Sequence, residues 1–507
     1  MQQYDVVIVG SGLGGLACGT ILAKEGYKVC ILEKNKQIGG NLQTYVRDRV
    51  IFDSGVHYVG GLDKGQNLYQ LFRYLGIMDK LKIRKMDEDV FDAILFKGDP
   101  VIYKYAQGYE NFIATLLKEF PKEEGALRKY CEVIKDVCSK FPLYNLRNGG
   151  GLFEKIDALE IDTKTFIESI TNDKKLQCVL AGNNLLYAGA AYKTPLYVHA
   201  LIVNSYIESS YRFVDGGSQI ARYLHREILI RGGKIIKHVK IVKFKEEEGQ
   251  ITYVENDKGE KFFGKMFISN VHPAQTMEMI ESPVIKKAFR SRIKGLENSI
   301  STFYANVVMK KDTFRHLNHN YYYFDEMDPW GVLNYTQKNW PLGYALFFAT
   351  SSKTTEYTEG VTIMGYMRFE DVKKWQHTFN TVTDEVSRGE DYEAFKKEKA
   401  EILFDYVERQ FPGFKASIKS YTTATPLSAR DYIGTEDGSL YGLIKDFREP
   451  LKTFISPKTK ITNLYLTGQN INLHGVLGVT VSSVLTCAQI VGMDHLIQEI
   501  KNAQEND

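Results

Sequence analysis

The sequence predicts an α/β fold: a discontinuous, Rossmann-like nucleotide-binding domain joined to a second, mixed domain of antiparallel sheet plus helices. Three observations predict it. The first is Gly10-Ser11-Gly12-Leu13-Gly14-Gly15, placed between a β-branched strand, Tyr4 to Val9, and a helical stretch, Leu13 to Gly26. The second is a further strand, Lys28 to Leu32, that ends at the acid Glu33. The third is that nucleotide-type pieces recur near residues 212–275 and again at the end of the chain.

Each part of the first unit has a physical job. Gly10 permits the tight turn, Gly12 lets backbone approach a pyrophosphate, and Gly15 lets the helix pack on the strand. The helix N-terminus offers free N–H groups to phosphates. Glu33 can accept hydrogen bonds from a ribose hydroxyl pair. A lone GxGxxG is a weak signal; one set between strand and helix, with an acid closing the next strand, is a specific one.

At 507 residues the chain spans about three domain-sized units. A net charge of +3, with both signs interspersed, leaves no basic footprint for nucleic acid. The 12% aromatic content suits a cavity for a long apolar ligand, although core packing accounts for most rings. Cys18, Cys30, Cys131, Cys138, Cys178 and Cys487 form no CxxC pair, which favours a reduced, cytoplasmic protein and no metal site. Val6 to Ala23 and Val476 to Met493 each run 18 residues without a charge, the length at which a membrane span must be considered. The first resolves into strand, turn and helix, and the second, with Ser482, Ser483, Thr486 and Gln489, reads as a helix buried in protein. No transmembrane segment or secretion signal is expected.

Helical periodicity dominates from about Asp63 to Ser210, with Asn148 to Gly151 as a Gly-rich break. Arg212 to Lys265 carries Asp215-Gly216-Gly217, a helix to Arg231, strands Lys234 to Val239 and Ile241 to Lys245, and a hairpin near Asn256 to Gly259. Lys265 to Ser269 is a buried strand. Parts of Ser301 to Phe369, with Ser417 to Thr423, read as antiparallel sheet, and Glu393 to Gln410 as a helix. Leu464 to Thr467 is a strand, and Gly478 opens the last helix. The cofactor domain is therefore expected over 1–62, 212–275 and 456–507, and the substrate domain over 63–211 and 276–455.

Over essentially its whole length the chain resembles the FAD-dependent family of phytoene desaturases, carotenoid isomerases and retinol saturases. Gly10 to Gly15, Glu33 and Gly39-Gly40 match the flavin-binding start of the wider superfamily. Phe52-Asp53-Ser54-Gly55-Val56-His57-Tyr58-Val59-Gly60 is similar to the retinol saturase branch. So are Thr425-Pro426-Leu427 with Asp431-Tyr432, Tyr441-Gly442, and Leu466-Thr467-Gly468-Gln469-Asn470 with His474-Gly475. Two departures, the lack of an N-terminal hydrophobic extension and Asn41 after the glycine pair, point away from retinol itself as substrate.

The resemblance implies an FAD-binding domain of the ββα three-layer kind. Gly12, Leu13 and Gly14 would hold the pyrophosphate, Glu33 the adenosine ribose, and the Val239 backbone the adenine. Lys34, Gly40, Asn41, Gly55, Val56 and Gly468 fall in the other cofactor-contacting segments. Gly478, Val479 and Thr480 would aim the positive end of the last helix at the flavin N1–C2=O edge, favouring the anionic reduced ring.

Reduction of an isolated double bond needs a hydride and a proton. His57, Tyr58, His474 and Tyr441, each beside a flavin-type motif, are the candidate proton donors. Taken singly, each is better read as a hydrogen-bonded core residue. His199 reads as core, and Arg430 and Asp431 as structural ion pairs. The expected activity is reduction of a carbon–carbon double bond in a polyene or isoprenoid lipid. The alternatives are a carotenoid isomerase or phytoene-type desaturase, then a flavin amine oxidase or a non-enzymatic lipid escort. No second strand–GxGxxG–helix unit follows, so reductant or oxidant comes from outside, as a carrier protein, a quinone or transient NAD(P)H. Ser282 to Leu296 interleaves Lys286, Lys287, Arg290, Arg292 and Lys294 with apolar residues. That is the pattern of an interfacial helix at a membrane surface, or of a solvated basic face over core.

Overall fold

The computed structural model describes residues 3–149 and 158–505. Only the first two residues of the Asn148–Gly151 break fall within them; the rest lies outside the described residues.

The first sheet has seven strands. Gln3–Val9 lies at its centre, parallel to Val29–Leu32 on one side and to Lys261–Ser269 on the other. Lys234–Ile236 extends the first side, also in parallel. Lys261–Ser269 divides its pairing. Its start meets Gln250–Asn256 antiparallel, and its last residues meet Leu464–Leu466 in parallel. Strands buried on both faces carry continuous apolar runs rather than alternation. Val6, Val7 and Ile8 illustrate this with no exposed surface. Period-two geometry sends Val6 and Ile8 toward helices Leu13–Lys24, Ser218–Ile230 and Gly475–Val491. Val7 and Val9 face the opposite layer, with Phe244, Ile280 and Ile293.

The second sheet also has seven strands. Ile418–Ala424, Ser301–Met309, Gly360–Met367, Gly343–Phe348 and Asn320–Phe324 pair antiparallel in that order. Asp92–Phe96 then joins Asn320–Phe324 in parallel, and Tyr103–Tyr105 closes the edge. Helix Glu390–Gln410 covers one face. Helices Tyr109–Leu117, Glu124–Ser139 and Leu196–Glu208 cover the other. A three-stranded sheet, Val59–Gly60, Ser210–Phe213 and Ile83–Lys85, lies between the two halves.

Three expectations need correction. The region from Asp63 to Ser210 is not all helical: Ile83–Lys85, Asp92–Phe96 and Tyr103–Tyr105 are strands. Phe91 to Phe96 is buried throughout, and a short apolar run with both sides covered has no period that separates strand from helix. The closing helix starts at Gly475, not Gly478, with His474 at its N-cap, and it is followed by another helix, Met493–Glu505. Gly478 sits inside the first turn, where an added Cβ would lie 2.7 Å from the Leu473 carbonyl oxygen. In 282–296 the helix is only Lys287–Lys294, and Ile285, Ile293 and Leu296 are buried in the protein, so most of its apolar side is already covered. Among the described residues no helix is long and apolar enough to cross a membrane.

Candidate functional site

The glycine loop follows Gln3–Val9 directly. Gly10 has φ +95°, and a Cβ on Gly15 would sit 2.0 Å from the Gly10 carbonyl oxygen. No side chain fits there, so strand and helix meet as closely as backbone allows. Added Cβ atoms would meet the Asn270 amide at Gly12 (3.0 Å), Gly14 (2.5 Å) and Gly468 (2.7 Å, φ +101°). Asn270 is thus wedged between two loops, the glycine loop and the turn at Gly468, that converge at strand ends.

Glu33 closes the second strand and is 6% exposed. One carboxylate oxygen accepts from the Ser11 N–H (3.0 Å) and hydroxyl; the other accepts from the Asn35 N–H (2.8 Å). It therefore ties the glycine loop to the next strand. The Glu33 carbonyl accepts the Val239 N–H at 2.9 Å, which brings residue 239 beside residue 33. Lys34 Nζ donates to the Asp431 carbonyl at 3.1 Å, and burial pulls its pKa down. Arg430 and Arg388 both pair with the Asp431 carboxylate, so that cluster is structural.

These loops enclose a cavity of about 870 Å³. Gly10, Gly12, Leu13, Gly14, Glu33, Lys34, Gly40, Asn41, Gly55, Val56, Val239, Gly468 and Val479 line it; Gly15, Gly478 and Thr480 do not. Gly15 faces the strand. Thr480 is buried and donates to the Val476 carbonyl at 2.7 Å, within its own helix. The N-terminus of Gly475–Val491 faces the cavity without a side-chain cap, and Gly475 (φ +76°) has open space where a Cβ would stand.

A second cavity, about 460 Å³, adjoins the first and is mainly apolar. The two share Gly55, Val56, Leu440, Tyr441, His474, Gly475 and Val476. Its inner wall carries His57, Tyr58, Tyr206, Tyr304, Phe347 and Met364. All four candidate proton donors therefore border this cavity, and their bonding differs. His57 stacks on Phe347 (4.3 Å, 9° between planes), and its Nε2 has no partner among the described residues. Burial, then the Arg212 charge, drives its pKa down to about 3, so its ring is neutral. His474 Nε2 must be protonated to donate to the Leu186 carbonyl (2.9 Å), and burial lowers its pKa to about 4. Tyr441 donates to the Leu185 carbonyl at 2.6 Å. Tyr58 donates to Asp92 Oδ2 at 2.8 Å and contacts the Tyr322 hydroxyl at 2.7 Å. Burial raises Asp92 to about 7; its other oxygen accepts from Asn320 Nδ2 at 2.8 Å, and Asn320 Oδ1 accepts from buried Arg212. His199, held between Tyr130 and Tyr187, is core. Among the described residues no His, Cys, Asp and Glu cluster could hold a metal ion.

The fold is Rossmann-like: residues 8–75 match a family described as an NAD(P)-binding Rossmann-like domain. Putrescine oxidase bound to putrescine superposes with a TM-score of 0.63 at 13% identity, covering 97% of this chain and 99% of that one. All-trans-retinol 13,14-reductase of Rattus norvegicus is 27% identical, over 97% of this chain and 86% of its own length. Prolycopene isomerase 2, chloroplastic, of an Oncidium hybrid cultivar is 24% identical, over 97% of this chain and 84% of its own. Over nearly its whole length the chain is thus homologous to proteins named as a retinol reductase and as a prolycopene isomerase.

Proposed function

We propose that the protein is an FAD-dependent oxidoreductase that reduces a carbon–carbon double bond in a polyene or isoprenoid lipid. One observation carries the reading: a glycine-lined cavity suited to a dinucleotide adjoins an apolar aromatic cavity, with seven lining residues in common. The residues fit FAD. Gly12 and Gly14 leave bare backbone at a helix N-terminus for a pyrophosphate. After its three internal bonds Glu33 keeps about one lone-pair site, on Oε1, for a ribose hydroxyl. Gly475 leaves room at an uncapped helix end for the ring. Reduced flavin, when bound, supplies the hydride.

The chain's own residues bind, orient and protonate. Phe347, Tyr206 and Tyr304 hold a flat apolar chain and exclude water. His57 stays neutral and positions by stacking. Tyr58 is the assigned proton source: burial and the Asp92 charge hold its own pKa well above the ordinary value of 10, so it acts as a relay between the site, a carboxyl that titrates near neutrality and a second phenol. A proton delivered from Tyr58 Oη leaves a phenolate that Asp92, in its protonated form, would re-protonate, Asp92 then being left as the carboxylate. The free cysteines fit a cytoplasmic setting. The exposed Leu451 and Phe454, with the basic residues of 282–296, would meet the membrane that supplies the lipid.

The test is anaerobic incubation of the flavin-loaded protein with a polyene, first with reduced and then with oxidised flavin. Product two mass units heavier, from reduced flavin only, is expected. Product two units lighter would make it a desaturase, and unchanged mass with altered geometry an isomerase. Hydrogen peroxide from amines would contradict the reading.

A further inference from the structure

The second cavity has one charged side chain in its wall among the described residues, Lys445. Its Nζ donates to the Thr453 carbonyl at 3.1 Å. An ammonium has three donors, so two remain. Among the described residues no acid balances it: the adjacent Asp446 is taken by Arg448 at 2.6 Å. Burial alone accounts for the fall of the Lys445 pKa to about 8. A cation held in an apolar wall without a counter-charge is costly, and a ligand anion would remove that cost.

The position along the cavity is informative as well. Leu451 and Phe454 line the cavity yet are 58% and 56% exposed, so they mark where it meets solvent. Thr453, the partner of Lys445, lies between them. The residues shared with the nucleotide cavity carry no charge themselves, although the Lys445 ammonium reaches His474 among them electrostatically. A ligand entering here would keep an anionic end by Lys445 and run its apolar chain inward past Phe347. A diphosphate head would demand more than one ammonium, and among the described residues neither a second ammonium nor an arginine fork lines this cavity. One carboxylate matches both the charge and the two spare donors.

We propose that the second cavity takes an apolar polyene chain ending in a carboxylate, and that Lys445 selects for it by pairing with that carboxylate at the rim. The proposal deepens the reading above and rests on it for the cavity being the substrate site. The test is equilibrium binding of all-trans-retinoic acid, its methyl ester and retinol to the flavin-loaded full-length protein, followed by quenching of tyrosine and tryptophan fluorescence. The acid is expected to bind at least about tenfold tighter than the ester. Lys445→Met should abolish the difference without weakening the ester, and Lys445→Arg should restore most of it. Lys445→Gln, checked by flavin content and circular dichroism, guards against a misfolded variant. Equal binding of acid and ester, or a preference that survives Lys445→Met, would overturn the proposal. The two readings fail separately. A flavin-loaded protein that reduces polyenes without preferring acids sinks this inference alone, and a Lys445-dependent preference in a protein that takes up no flavin sinks only the redox reading.

Discussion

The two adjoining cavities are built from different materials. The larger is walled by backbone: Gly10, Gly12, Gly14, Gly468 and Gly475 leave it no side chains at the points of closest approach. The smaller is walled by large side chains from distant segments, among them His57, Tyr206, Tyr304, Phe347 and Tyr441. The first can grip any ligand with the right phosphates, because N–H groups and a helix end recognise charge and shape alone. The second sets what reacts. A glycine substitution should therefore abolish cofactor retention, whereas a change in the aromatic wall should alter turnover and selectivity while the cofactor stays.

The largest expected effect is at Gly15. A Cβ there would collide with the Gly10 carbonyl, which is backbone and cannot swing aside. Gly15→Ala should cost about 3 kcal/mol or more, read as a melting temperature lower by several degrees together with lost flavin. A Gly15→Ala protein that melts normally and holds its flavin would show that the close approach is dispensable. Next is Tyr58→Phe, which keeps the ring and removes the proton. It should lower kcat by about 10²-fold with flavin content unchanged, and Asp92→Asn should reproduce part of the loss. An unchanged kcat in both would move the proton source elsewhere.

The local grammar explains why one cavity was legible in the sequence and the other was not. The glycine loop, Gly10 to Gly15, and Glu33 are contiguous with the strands that place them, so spacing alone reveals them. Asn270 has no such signature although it touches both the glycine loop and the Gly468 turn, because nothing near it in sequence distinguishes a wedge from a strand end. His57 and Tyr58 were singled out by motif, yet what decides their chemistry is remote. Tyr322 is 264 positions from Tyr58, and Asp92 sits in a strand whose parallel partner is Asn320–Phe324. Side-chain partners assembled by long-range sheet pairing leave no periodic trace. The start of the closing helix was misplaced by one turn because Gly475 and Gly478 are equally plausible openers; only the fold shows Gly478 pressed on Leu473.

Smaller effects sharpen the comparison. His57 and His474 are half-buried, and desolvation sets their pKa values near 3 and 4, below the ordinary value of 6.5. A histidine depressed in the folded state contributes stability that is complete above pH 6.5 and is lost as the unfolded chain takes up protons on the way down to the folded value. Melting temperature should thus fall from about pH 6.5 toward pH 4, and His474→Asn should flatten that limb. A limb of unchanged slope would show that His474 is not held neutral. The smallest effect is at Glu33. Glu33→Gln keeps the acceptor oxygen but not the charge, and flavin affinity should weaken by about tenfold or less; a complete loss, measured by dialysis, would make the carboxylate the main anchor in place of the glycine backbone.

The most direct test is the visible spectrum of the purified full-length protein before and after a polyene is added. A flavin spectrum with one cofactor per chain, shifted when the polyene binds, is the predicted result, since the two ligands would meet across Gly55, Tyr441 and His474. Folded protein that stays colourless after incubation with excess FAD, or a flavin spectrum indifferent to a bound polyene, would contradict the account.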